Sequence, residues 1–444
     1  MFDTLIRGGR IGTPTGLQEA DLALAEGRVA VWLAPGAAAS ARATIDASGR
    51  IVLPGLVDAH VHFRDPGLTH KEDFASGSAA AAMGGVTTAL VMPTDLPPTF
   101  TAADWHAKAA LVPGRAHIDI GLQAAATQAT HIAELAAAGA VSIEIFLGDM
   151  PPVLLLREDA TLRAVMQACH AAGIVLGLTP ADDAVIAAAE ARLRRAGGDP
   201  MDFFASRPPA SEANGTRRAL EAAAETGVAL HLRQISCAES LKLVQQARGL
   251  DLTAETTPHY LLLEAEDIRL QGPWAKILPP LRSPADQDAL WHALQPEGAI
   301  SMVATDHAPH TQAEKQPGEA DIWAAPGGFP GVQTLLPLLL EAVAKGRIGW
   351  GDLVRLASTA PAQRFGLVGK GSLEVGADAD FVLVDPARQG TITDAQQLSR
   401  AGRTPFAGRA VRGWPVGTWL RGAQIADESG LLGAPRGRVL RRVA

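Results

Sequence analysis

Two rhythms of hydrophobic and polar residues divide the chain. Up to about residue 50 the apolar runs are short and punctuated by Gly and Pro. They are Leu5–Ile11, Ala20–Leu24 and Gly27–Trp32, a pattern that predicts a small β-sheet. From Ile51 onward, apolar runs of strand length alternate with Ala-rich stretches of helical period. Leu53–His60, Val86–Met92, His117–Leu122, Val141–Leu147, Ile174–Leu178, Val228–Leu232, Leu252–Thr256 and Ile300–Thr305 are predicted as strands. Ala102–Leu111, His131–Ala138, Ala160–Ala172, Ala184–Arg195 and Thr216–Thr226 are predicted as helices between them. Eight strands separated by helices predict an α/β fold, a (β/α)8 TIM barrel. An open doubly wound sheet is the competing arrangement, but no Gly-x-Gly-x-x-Gly follows an early strand. After the barrel the β pattern returns: Gly371–Asp385 reads as two strands around a turn, and Val411–Gly422 as a hairpin. We expect 53–365 to form the barrel, and 1–52 with 366–444 to form a small β-sandwich assembled from both termini.

Composition narrows the class of protein. With 444 residues, 47% hydrophobic and 19% charged, the chain can bury a large core and is neither disordered nor fibrous. A net charge of −8 argues against nucleic-acid or membrane-surface partners. Cys169 and Cys237 are too few for a disulfide framework or a four-cysteine zinc site. Residues 1–10 lack the features of a secretory signal. Leu335–Val343, the greasiest later stretch, is interrupted by Pro337 and Glu341. A cytoplasmic protein is expected. The basic residues are lopsided, seven lysines against 32 arginines.

Candidate chemistry is concentrated at two strand ends. Asp58-Ala59-His60-Val61-His62 closes the first barrel strand, and residues two apart on a strand share a face. At the C-terminal mouth of a barrel such a pair can grip one divalent metal. Ser301-Met302-Val303-Ala304-Thr305-Asp306 brings a carboxylate to the mouth of the last strand, where it can ligate the same metal and take a proton from its water. A strand-end Asp is also a common helix cap. Pairing with His60 and His62 favours the ligand role.

These motifs, with their surroundings, resemble the amidohydrolase superfamily and, within it, the dihydroorotase branch of the cyclic amidohydrolases. The likeness rests on Pro54–Gly67, Thr69–Phe74, Gly84–Thr88, Met92-Pro93, Thr257-Pro258-His259, Lys276 with Pro279–Arg282, and Asp306–His310 with Glu314-Lys315. It implies a barrel with a small sandwich and a metal-activated hydroxide that interconverts dihydroorotate and N-carbamoyl-aspartate, a step of pyrimidine synthesis. It places Arg64 on a substrate carboxylate through its planar fork, with His310 as a second contact. It also implies a homodimer.

The departures from the family pattern are grouped. A second metal in that family needs a carbamylated lysine on strand 4 and one histidine each from strands 5 and 6. Glu144 stands at the lysine position, and no lysine occurs between Lys108 and Lys242. Pro180 and Gln234 stand at the two histidine positions. His231, three residues before Gln234, falls on the opposite face of the strand. In the substrate pocket, Thr94 and Leu278 replace expected asparagines. The expected site therefore holds one metal per chain, zinc by preference, on His60, His62, Asp306 and Glu144. Asp306 acts as proton shuttle, and Arg64, Thr94 and His310 contact a substrate that carries a carboxylate. Two alternatives stay open. One is a non-catalytic dihydroorotase homologue acting as a structural partner, for example of aspartate transcarbamoylase; the other is a one-metal hydrolase of another small ring.

Overall fold

A computed structural model describes residues 1–195 and 198–442. Eight parallel strands form its centre: β1 (Leu56–Val61), β2 (Val86–Val91), β3 (Asp119–Leu122), β4 (Ile143–Phe146), β5 (Leu176–Thr179), β6 (Leu230–Leu232), β7 (Leu252–Thr256) and β8 (Met302–Val303). Ala124–Ala125, continuing from β3, pairs with β4, and a parallel bridge from Val61 to His307 joins β8 back to β1. The sheet is thereby closed into the expected (β/α)8 barrel. Helices lie between successive strands, from Phe74–Met83 after β1 to Leu335–Ala344 after β8. The last of these is ten residues long, and no helix among the described residues is long and apolar enough to cross a membrane.

The helix expected at Thr216–Thr226 starts earlier, at Pro209. Proline at a first helical position loses no bond that the helix needs, so Pro209 opens the helix where it looked like a breaker. Gly215 within it would carry a Cβ into the backbone of Pro180 and Ala181, so its bareness lets this helix press against the cavity wall.

Two β-sheets flank the barrel. Phe2–Arg7, Asp21–Ala25, Arg28–Leu33 and Ala41–Asp46 form one. The other has seven strands and joins Arg10–Thr13, Gly16–Glu19 and Ile51–Pro54 to Phe381–Thr391, Ala410–Leu420, Ala423–Asp427 and Gly430–Leu431. Ile6, Leu22, Val29, Val52, Phe381 and Trp419 pack between the sheets, with the Phe381 and Trp419 rings stacked at 4.6 Å. The single run expected over Leu5–Ile11 turns at Gly8, at φ 77°, and feeds both sheets. The hairpin expected at Val411–Gly422 is one long strand, because Pro415 sits at a register shift opposite Val384 and breaks nothing. Of the two strands expected in Gly371–Asp385, only the one beginning at Phe381 forms.

Candidate metal centre and its cavity

His60, the last inward position of β1, and His62, just beyond it, aim Nε2 at one point. His60 Nε2 lies 3.3 Å and His62 Nε2 3.1 Å from Asp306 Oδ1. One donor atom from each of the three side chains falls within 4.8 Å of the others, a spacing that fits a single divalent ion. The far nitrogen of each imidazole is held from behind. His60 Nδ1 is 2.6 Å from Glu255 Oε1, and His62 Nδ1 is 2.7 Å from Thr94 Oγ1. Glu255 is an acceptor only when ionised, so the Nδ1 proton of His60 faces it and Nε2 turns to the centre.

Burial and neighbouring charges act on the same three groups. Burial, joined by the Arg64 charge, holds His62 neutral with its pKa down at about 3, so one ring nitrogen keeps a lone pair. Burial opposes the charged form of Asp306, but His60 and His62 outweigh it and keep the carboxylate ionised below its usual range. His60 is likewise opposed by burial, yet Asp306 and Glu255 raise its pKa. Asp306 and Arg64 both adopt left-handed backbone, at φ 47° and 59°, a strain that recurs at functional sites. Asp58 ties the two strand ends together: its carboxylate accepts from the His60 and Thr305 backbone N–H groups and from the Thr305 hydroxyl.

A cavity of about 290 Å³ opens over this cluster. Arg64, Thr94 and His310, the three substrate-contact candidates, all line it. Arg64 Nε is buried with no partner, and Arg64 Nη2 is 3.4 Å from His310 Nε2. Burial with the nearby Arg64 and Lys71 charges brings His310 down to about 3, so this pole of the cavity holds a guanidinium beside a neutral imidazole. Phe146, Met150, Leu154, Pro180, Ile186 and Leu278 add apolar surface to the lining of the same cavity.

Glu144 is not in the metal group. Its carboxylate faces the Arg233 guanidinium, Oε1 accepting from Nη2 at 2.7 Å and Oε2 from Nε at 3.0 Å, with the Ser142 hydroxyl donating to Oε1 at 2.6 Å. The expectation that Glu144 ligates the metal is corrected on this ground: the chain supplies its own cation to that carboxylate. Gly177 on β5 makes the room, since a Cβ there would collide with the Glu144 carboxylate. Gln234 is held at φ 54° and donates from Nε2 to Asp306 Oδ2 at 2.6 Å and to the Leu278 carbonyl at 3.2 Å. His231 stays behind the centre, between Thr253 and Glu255. The residues that sequence reading missed are Glu255 and Arg233. The available signal was charges of opposite sign at interior positions of otherwise apolar barrel strands.

Residues 51–425 match the amidohydrolase family. The chain belongs to it. The allantoinase of Rubrobacter xylanophilus is 36% identical over 449 residues, covering 99% of this chain and 98% of its own. The dihydroorotase of Halobacterium salinarum is 39% identical over 382 residues, 85% of this chain and 86% of its own. Among solved structures, the L-hydantoinase (dihydropyrimidinase) from Arthrobacter aurescens superposes with a TM-score of 0.96 at 32% identity, over 100% of both chains. The chain is a metal-dependent cyclic amidohydrolase. Its likeness to dihydroorotases is matched by its likeness to allantoinases and hydantoinases, so family membership leaves the ring substrate open.

Proposed function

We propose that this amidohydrolase opens and re-forms the amide of a small ring that carries a carboxylate, with one divalent metal per chain and dihydroorotate as the first substrate to test. The observation that carries this reading is the buried Arg64 guanidinium. Arg64 and its neighbour His310 line the same cavity as His60, His62 and Asp306. A planar guanidinium fork matches a carboxylate.

Two imidazoles and one carboxylate suit zinc, which when bound polarises a carbonyl and brings the pKa of a water near neutral. The chain's own residues do the rest. Arg64 and His310 hold the carboxylate of the substrate and so set which ring carbonyl faces the centre. Gln234 donates to Asp306 Oδ2 and so fixes the carboxylate, with Oδ1 turned to the two imidazoles, where Asp306 takes up a proton. The oxygen of water bonds to the carbonyl carbon, the carbon–nitrogen bond breaks, and Asp306 returns the proton to the departing ring nitrogen. Re-forming the ring runs the same path backwards. Thr94 contributes by fixing His62, whatever else it touches.

A second reading is favoured by the apolar wall of Phe146, Met150, Leu154, Pro180, Ile186 and Leu278. That wall suits a hydantoin with an apolar substituent, in keeping with the hydantoinase relatives. Elemental analysis of metal per chain, run beside hydrolysis assays on dihydroorotate, allantoin and 5-substituted hydantoins, separates the readings. One metal and turnover of dihydroorotate, with KM raised in Arg64→Met, is expected. Two metals per chain would remove the one-metal claim. An unchanged KM in Arg64→Met would remove the carboxylate claim, and turnover of aryl hydantoins alone would select the second reading.

A further inference from the structure

We propose that Glu255 is a positioning residue for the metal centre, held in place by Arg233 and His231 so that His60 presents Nε2 to the ion. The inference rests on the one-metal reading above. Glu255 lies on β7 with no exposed surface, and each of its oxygens has a separate task. Oε1 accepts from His60 Nδ1 at 2.6 Å. Oε2 accepts from Arg233 Nη1 at 2.9 Å and from His231 Nε2 at 3.0 Å. His231 can donate there because its other nitrogen, Nδ1, lies 2.8 Å from the Thr253 hydroxyl, which fills it. Arg233 is anchored independently of Glu255, by the Glu144 carboxylate on β4 and by the Ala59 carbonyl at 2.9 Å on β1. The carboxylate that orients His60 is thus held by His231 on β6 and by Arg233 just beyond it, and Arg233 is itself tied to β1 and β4.

Orientation matters because an imidazole binds a metal through one nitrogen only when the other carries the proton. An acceptor fixed at Nδ1 stabilises that tautomer and makes Nε2 the better donor, and loss of such a carboxylate costs about 10- to 100-fold in metal affinity. Glu144 provides the control. It makes as close an ion pair with Arg233 and is as deeply buried, yet it touches neither histidine of the centre.

The test is zinc binding to the metal-stripped full chain, read as Kd by titration with Zn²⁺ alone. Glu255→Gln is expected to weaken Zn²⁺ binding about 10- to 100-fold. Glu144→Gln, which breaks an Arg233 pair one step further from the ion, is expected to weaken Zn²⁺ binding less than Glu255→Gln does. Equal effects of the two substitutions would overturn the proposal and leave Glu255 as a structural ion pair only. Glu255→Asp, which keeps the charge but withdraws it from His60, is the alternative should Glu255→Gln not fold. The wild-type protein offers a third measurement. With ¹⁵N-labelled histidine and Zn²⁺ bound, His60 should keep its proton on Nδ1 and bind through Nε2, and the reverse assignment would overturn the proposal. The count of metals per wild-type chain tests the one-metal reading separately from these results.

Discussion

Replacing Arg233 by Met removes a fully buried guanidinium and keeps an unbranched apolar stem. Its loss takes two donors from Glu144, one from Glu255 and one from the Ala59 carbonyl. Glu255 retains two imidazole partners, but Glu144 retains only the Ser142 hydroxyl and becomes a nearly bare charge beneath the cavity. Breaking a buried ion pair from one side costs about 3–5 kcal/mol, a large part of the 5–15 kcal/mol that holds an ordinary domain together. Glu144→Gln, the opposite half of the pair, should cost less, because Arg233 keeps Glu255. The double variant removes the stranded charge. We therefore expect it to lose less than the sum of the singles, by about 2–3 kcal/mol of coupling. Urea denaturation of the four proteins, followed by tryptophan fluorescence and by circular dichroism, measures the cycle. A loss below about 1 kcal/mol for Arg233→Met, or strict additivity, would refute the view that this cation is required by the two carboxylates.

Three further outcomes are expected. Asp306→Asn should lower turnover at least about 100-fold, the low end of general acid–base contributions, while the protein melts as a folded chain; unchanged turnover on the active substrate would remove its assigned role. Burial pushes Asp58 up to about 6 from its ordinary 3.8. Its raised value means that its stabilising share is complete below pH 3.8 and is lost as pH climbs through 6, at a cost of about 2–3 kcal/mol by neutrality. Asp58→Asn can keep both backbone bonds and reverse the Thr305 hydroxyl, so it should flatten the stability profile between pH 4 and 7, and a profile parallel to the wild type would contradict this. Cys169 and Cys237 are free and buried, and burial pushes both thiols up, so a thiol reagent should label neither in the native state and both in urea. Prompt native labelling of either would contradict their burial.

The barrel was legible because its strands are apolar on both faces, and such runs stand out between Ala-rich helices whatever the tertiary context. His60, His62 and Asp306 were legible for a related reason: polar residues at strand ends in a barrel share one rim. Glu144 was misread because its partner, Arg233, lies 89 residues away and is brought to it only by closure of the sheet. A local pattern can flag an interior charge but cannot say which opposite charge will neutralise it. Pro415 and Pro209 illustrate the same limit for backbone, since both sit where their missing N–H is not needed. Thr94 lines the cavity, and its contact with His62 depends on a rotamer that spacing does not reveal.

The seam between barrel and sandwich also shapes how the chain is made. Ile51–Pro54 is apolar at every position and runs into β1 with only Gly55 between them. Its antiparallel neighbour, Phe381–Val384, follows about 330 residues later. At roughly 5–20 residues per second, a ribosome needs about 15–65 s to deliver that neighbour. Throughout that interval one edge of a sticky strand stands open, while the strand itself leads into the first stave of the barrel. Nascent chains should therefore depend on chaperone cover until residue 384 has emerged, and stalling before that point should yield aggregation in place of a stable half-barrel.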